Sequence, residues 1–97
     1  MSKMEGIWNI SVNTGMSYDP GLLEIGQETG SLSIYGGKAE ISDLKLTEEK
    51  LEGNVLVSSP WGQVWVSLDL TADPATDQLS GWAYESTGSY PITGNRA

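Results

Sequence analysis

Between Leu51 and Arg96 the chain can be laid out as three successive hairpins in which one set of alternate side chains stays on a single face throughout, and few folds satisfy that condition. Around the segment 58–63, pairing Val57 with Val64 sets Val55 opposite Val66, Gly53 opposite Leu68 and Leu51 opposite Leu70. Around 72–78, Leu70 meets Leu79, Leu68 meets Gly81 and Val66 meets Ala83. Around 85–89, Ala83 meets Tyr90, Gly81 meets Ile92 and Leu79 meets Gly94. Successive residues of a strand point to opposite faces, so this register yields a sheet buried on one side.

The rest of the chain extends the pattern. Twelve glycines punctuate short alternating runs, and helical periodicity is nearly absent. The one stretch with helix-like composition, residues 46–53, reads as a charged turn between strands. Eight strands are expected, over residues 6–12, 22–27, 31–35, 38–46, 51–58, 63–71, 78–85 and 89–96. Asp19-Pro20-Gly21 carries the composition of a turn and Gly36-Gly37 that of a tight hairpin. The fourth strand should contain an irregularity near Ser42-Asp43, where the apolar side chains change from odd (Ala39, Ile41) to even positions (Leu44, Leu46). No helix is available to cross between parallel strands, so the topology is an antiparallel meander. Closing it into an eight-stranded up-and-down barrel removes two exposed edges. At 97 residues, with no linker or low-complexity tract, residues 1–97 form a single domain with a small core.

Composition narrows the chemistry. With no cysteine and no histidine, disulfides, thiolate nucleophiles, imidazole general bases and the common zinc and haem ligands are all absent. No metal site, cofactor or catalytic residue is expected. The net charge of −8 repels phosphate backbones and anionic lipid, so neither nucleic acid nor a membrane is an expected partner. The N-terminal MSKMEG lacks the apolar stretch of a signal peptide, which makes cytoplasmic placement the expectation.

Two residues far apart in sequence fall together in this scheme. Trp8 faces inward on the first strand, and Arg96, the only arginine, shares the inward set of Tyr90, Ile92 and Gly94 on the last. Those strands are neighbours in a closed barrel. An arginine facing a core needs pairing or stacking, and an indole face with nearby carbonyls supplies both. Gly6-x-Trp8 opening the first strand, with a basic residue ending the last, resembles the structural signature of the calycins, the superfamily of lipocalins, fatty-acid-binding proteins and avidins. SYPITGNRA and GGKAEISD are also similar to stretches in a group of small bacterial β-barrel domains of unassigned activity. The calycin resemblance implies that Trp8 and Arg96 close one end of the barrel as a structural pair. The chain departs from the family in its short strands, in lacking a lid helix, and in having no further base among its inward residues.

Three readings of function follow. The first is binding of a small apolar or aromatic ligand in a cavity at the end away from Trp8, with Tyr18, Trp61 and Tyr90 as candidate ligand contacts; the small inward residues Ala39, Gly53, Gly81, Ala83 and Gly94 allow such a cavity and equally allow a flattened barrel whose walls touch. The second is an interaction domain that homodimerises through an outer row in which Leu56 faces Trp65 and Trp65 faces Tyr84, with Trp82 alongside. The third is a histidine-independent lyase, isomerase or cyclase, which requires a tyrosine or carboxylate with a pKa tuned by burial.

Overall fold

The computed structural model describes residues 3–60 and 62–97. Among them nine strands form one antiparallel sheet: β1 (Gly6–Asn13), β2 (Tyr18–Ile25), β3 (Gly30–Ile34), β4 (Gly37–Glu40), β5 (Ser42–Leu46), β6 (Lys50–Ser59), β7 (Gly62–Asp73), β8 (Gln78–Glu85) and β9 (Gly88–Arg96). The order β4-β3-β2-β1-β9-β8-β7-β6-β5 is a meander wrapped so that its two ends meet, giving a nearly closed barrel. The count is nine rather than eight because the expected strand 38–46 is broken at Ile41. Its first part pairs with β3 and its second with β6, and the ladder shifts between Ser42 and Lys45, where Asp43 has a φ of 52°.

Ile41 holds that break in place. Its side chain is buried, and its N–H donates to the Gly30 carbonyl at 2.8 Å. It lies over Gly53, where a Cβ would fall well inside van der Waals contact with the Ile41 side chain. Glycine at 53 is therefore what lets the chain bend inward at the seam. This space is filled, so Gly53 contributes no cavity.

Two hairpins differ from the expected register, each by two residues. β7 and β8 run to Asp73 and Gln78, so Leu70 faces Gly81, Leu68 faces Ala83 and Ala72 faces Leu79. The shorter connection is stabilised by Asp73, whose carboxylate accepts from the Ala75 N–H at 3.0 Å, and by Asp77 with a φ of 53°. It adds ladder pairs and buries Ala72. Likewise β3 and β4 turn at Tyr35-Gly36, not Gly36-Gly37. Asp19-Pro20-Gly21 is not a turn but part of β2. Pro20 is tolerated because only β1 pairs with it there, β3 pairing beginning at Gly21. The chain reverses instead at 14–17, where the Asn13 carboxamide accepts from the Gly15 N–H at 2.9 Å and Gly15 has a φ of 87°.

One end of the barrel is plugged. Trp8 is 0 % exposed, pairs with Leu23 of β2 on one side and Arg96 of β9 on the other, and donates its indole N–H to the Met4 carbonyl at 2.9 Å. The Arg96 guanidinium carbon lies 4.2 Å from the indole centroid. Its Nη1 donates to the Glu5 carbonyl at 2.7 Å, its Nη2 to the Lys3 carbonyl at 2.9 Å, and its Nε to Asp77 at 3.2 Å. The guanidinium thus sits between an aromatic face and the backbone of 3–5, which folds across the end with Met4 buried beneath it. Gly6 is needed for this geometry: its φ is 125°, and a Cβ there would lie 2.5 Å from Arg96 Nη1.

Truncating Trp8 to Ala is expected to cost about 3–5 kcal/mol of stability, as for a fully buried aromatic. Arg96→Ala should cost less, about 1–3 kcal/mol, since the released carbonyls reach water in part. Urea unfolding of both single variants and the double variant will show non-additivity, because the side chains share one contact surface. Additivity to within a few tenths of a kcal/mol would exclude coupling across the stack.

Candidate functional site

Plugging one end leaves the void at the other. A cavity of about 500 Å³ opens beneath the turns at 14–17, 35–36 and 86–87. Its walls come from the inward side chains of the mouth half of the barrel: Ile10, Val12, Leu32, Ile34, Val57, Val64, Val66, Leu68, Ala83 and Ile92. Val12, Val64 and Val66 are only half-buried although they face the barrel interior, which marks the cavity as open to solvent. Apolar groups left wet in this way are the groups a ligand would cover. Of the small residues expected to create the space, Ala83 alone lines it. A wider depression of about 680 Å³ lies on the outer wall around Asn9, Ser11, Thr93 and Asn95. Its amides and hydroxyls already face water, so covering them offers little.

The polar groups gather at the mouth. Tyr35 occupies the hairpin tip with a φ of 54°, a conformation a bulky side chain adopts at a cost of about 1 kcal/mol or more. In that position its hydroxyl donates to the Asp19 carboxylate. Asp19 also accepts from the Ser17 hydroxyl at 2.8 Å, and Ser17 is in turn tied to Thr14. A second set comes from the β8–β9 hairpin. Glu85 accepts from the Tyr90 hydroxyl at 3.1 Å and from the Thr87 hydroxyl.

The contact between Tyr35 and Asp19 shifts the titration of both groups. Hydrogen bonds from Tyr35 and then Ser17 hold the Asp19 carboxyl below its ordinary value of 3.8, with burial opposing them weakly. The Tyr35 phenol is pushed up to about 12, by burial first, then by the bond to Asp19 and the charge of Asp19, with smaller contributions from Glu85 and Tyr90. The pair is therefore phenol and carboxylate across the neutral range. Asp19 moves opposite to what a buried catalytic acid requires, and a phenol at 12 is a poor base.

The expected ligand contacts fare unevenly. Tyr90 lines the cavity. Tyr18 does not: it is 71 % exposed and belongs to the outward set of β2. The strand begins at Tyr18 and not at Leu22, so its neighbour Asp19, opposite Val12, takes the mouth position. Trp61 lies outside the described residues. Sequence reasoning passed over Tyr35, Asp19 and Glu85. Glu85 was within reach, since it shares the inward set of Ala83. On the outer face Leu56 does oppose Trp65, but the slip in β7–β8 sets Ser67 opposite Tyr84 and Asp69 opposite Trp82. The aromatic row is therefore diagonal rather than straight.

A raised tyrosine pKa and a lowered aspartate pKa have opposite consequences for stability. The Asp19 contribution is full above about pH 4 and lost as pH falls through its folded value, because the unfolded chain binds the proton more tightly. The Tyr35 contribution is full below pH 10 and lost as pH rises toward 12. Thermal melts should therefore show the advantage of wild type over Asp19→Asn shrinking in acid, and its advantage over Tyr35→Phe shrinking in alkali. An advantage unchanged at both extremes would remove the pair.

No family model, curated protein or solved structure matches this chain, so the site is read from its own geometry.

Proposed function

We propose that the protein is a calycin-like barrel that binds a small molecule with an apolar or aromatic body in the open-ended cavity. The observation that carries the reading is the cavity itself, about 500 Å³ of apolar wall left partly wet beside a small number of ordered polar groups. That size and chemistry match small-molecule sites generally, which run from about 300 to 1,000 Å³ with a few fixed polar contacts. The plug of Trp8 and Arg96 supports it further, since it makes one end rigid and leaves a single mouth for entry. The Tyr35–Asp19 protonation states favour binding over proton transfer.

A neutral fluorescent probe, N-phenyl-1-naphthylamine, is expected to bind saturably with a Kd on the order of 1–100 µM. Val66→Trp should abolish this while leaving the β-sheet circular dichroism intact, because the indole occupies the cavity. Failure of the probe to saturate, or equal binding by the filled variant, would sink the reading.

A second reading is favoured by a separate observation. Trp65, Trp82 and Tyr84 stand exposed on one outer face, Trp65 at 61 %. Aromatic groups so placed are typical of interfaces, and they support a homodimer through the β6–β8 wall. Sedimentation at high protein concentration should give a dimer that Trp65→Glu dissociates. A wild-type monomer under those conditions would eliminate this second reading.

A further inference from the structure

Glu85 is the one charged side chain among the described residues that line the cavity, and no basic residue accompanies it. Both of its hydroxyl donors, Tyr90 and Thr87, converge on the same carboxylate oxygen, Oε1. They fix the group in position without neutralising it. The five bases of the chain are all engaged or placed elsewhere. Lys38 reaches Glu24 on the outer face, Lys50 reaches Asp69, and Arg96 pairs with Asp77 over the plugged end. Lys3 belongs to the segment crossing that same end, and Lys45 faces Glu52 across β5 and β6. Beyond Tyr35, Asp19 adds a second negative charge to the rim. An oriented carboxylate on an apolar wall, with no countercharge at hand, repels an anionic head group and provides a strong acceptor for a cationic one.

We infer that the ligand is an amphipathic amine, its apolar body in the cavity and its ammonium group at the mouth against Glu85. This rests on the cavity being a binding site and adds the charge of what it takes. Tyr90 and Tyr35 line the same cavity, and the face of a tyrosine ring attracts a cation. The same geometry excludes fatty acids, whose carboxylate would meet Glu85 and Asp19 with no base to receive it.

Titration calorimetry with octylamine, octanol and octanoate, three ligands sharing one body, separates the contributions. Octylamine is expected to bind about five- to tenfold more tightly than octanol, with octanoate weakest. Glu85→Gln keeps an acceptor for Tyr90 and Thr87 and so keeps the fold, but it should bring octylamine to within about twofold of octanol. Glu28→Gln, the same change of net charge in the β2–β3 turn, should leave the octylamine advantage intact. Octanoate binding as well as octylamine, or an advantage that survives Glu85→Gln, would overturn the inference. Equal binding of all three leaves the apolar cavity standing and removes the cation. No binding by any of them removes both.

Discussion

A single guanidinium holds the two ends of this chain together. Arg96 stacks on Trp8 while donating to the carbonyls of Lys3 and Glu5 and to the Asp77 carboxylate, so the first strand, the last strand, the N-terminal segment and the β7–β8 turn all converge on one planar group. The charge is affordable in that position because it is not fully buried, its side chain remaining 34 % exposed, and because each of its three nitrogens has an acceptor. Lysine could not substitute, having neither the flat face for the indole nor the fork for two carbonyls. The Gly6-x-Trp8 pair is half of this arrangement: the tryptophan supplies the surface and the glycine the space above it.

The division of the barrel into a dry half and a wet half follows. Large side chains are spent at the plugged end, where Met4, Trp8, Leu23, Leu51, Leu70 and Leu79 are almost completely buried. The mouth half is walled by aliphatic side chains, four of them valines, which leave the axis unfilled. With no Phe in the chain and its Tyr side chains reaching outward or to carboxylates, nothing is left to fill that space. The polar groups of the rim are instead held by hydrogen bonds within and between the turns, Tyr35 and Ser17 to Asp19 and Tyr90 and Thr87 to Glu85. Tyr35 carries the cost of this, being held in a left-handed conformation to reach Asp19.

Alternation of apolar and polar residues carried most of the architecture, and its limits are specific. It identifies which face a side chain occupies, and for β6–β7 and β8–β9 it also identified the partner. A slip of two residues leaves every side chain on the same face, so alternation cannot detect one. Both misread hairpins, β3–β4 and β7–β8, slipped by that amount. The first hid Tyr35, which moved from a strand end to a turn tip, and the second broke the straight aromatic row. Asp19 was hidden differently: its Asp-Pro-Gly setting has the composition of a turn, and the pairing that makes it a strand is visible only once β1 lies alongside. The bend at Ile41 was partly legible as a change in the apolar positions near Ser42, but the reason for it, the bare backbone of Gly53, lies across the irregular start of the β5–β6 ladder, which alternation does not register.

The seam at Ile41 differs in kind from the rest of the wall. Elsewhere neighbouring strands are joined by ladders, and changing the circumference means breaking hydrogen bonds. Here β4 and β5 are joined end to end through one residue, and no ladder links β4 to β6. The cylinder is therefore a sprung band whose ends overlap at a hinge, not a welded ring. There the wall is closed by side-chain contacts worth tenths of a kcal/mol each instead of a row of bonds. The bore is thus set by side-chain packing along the seam and by hydrogen-bonded ladders everywhere else around the wall.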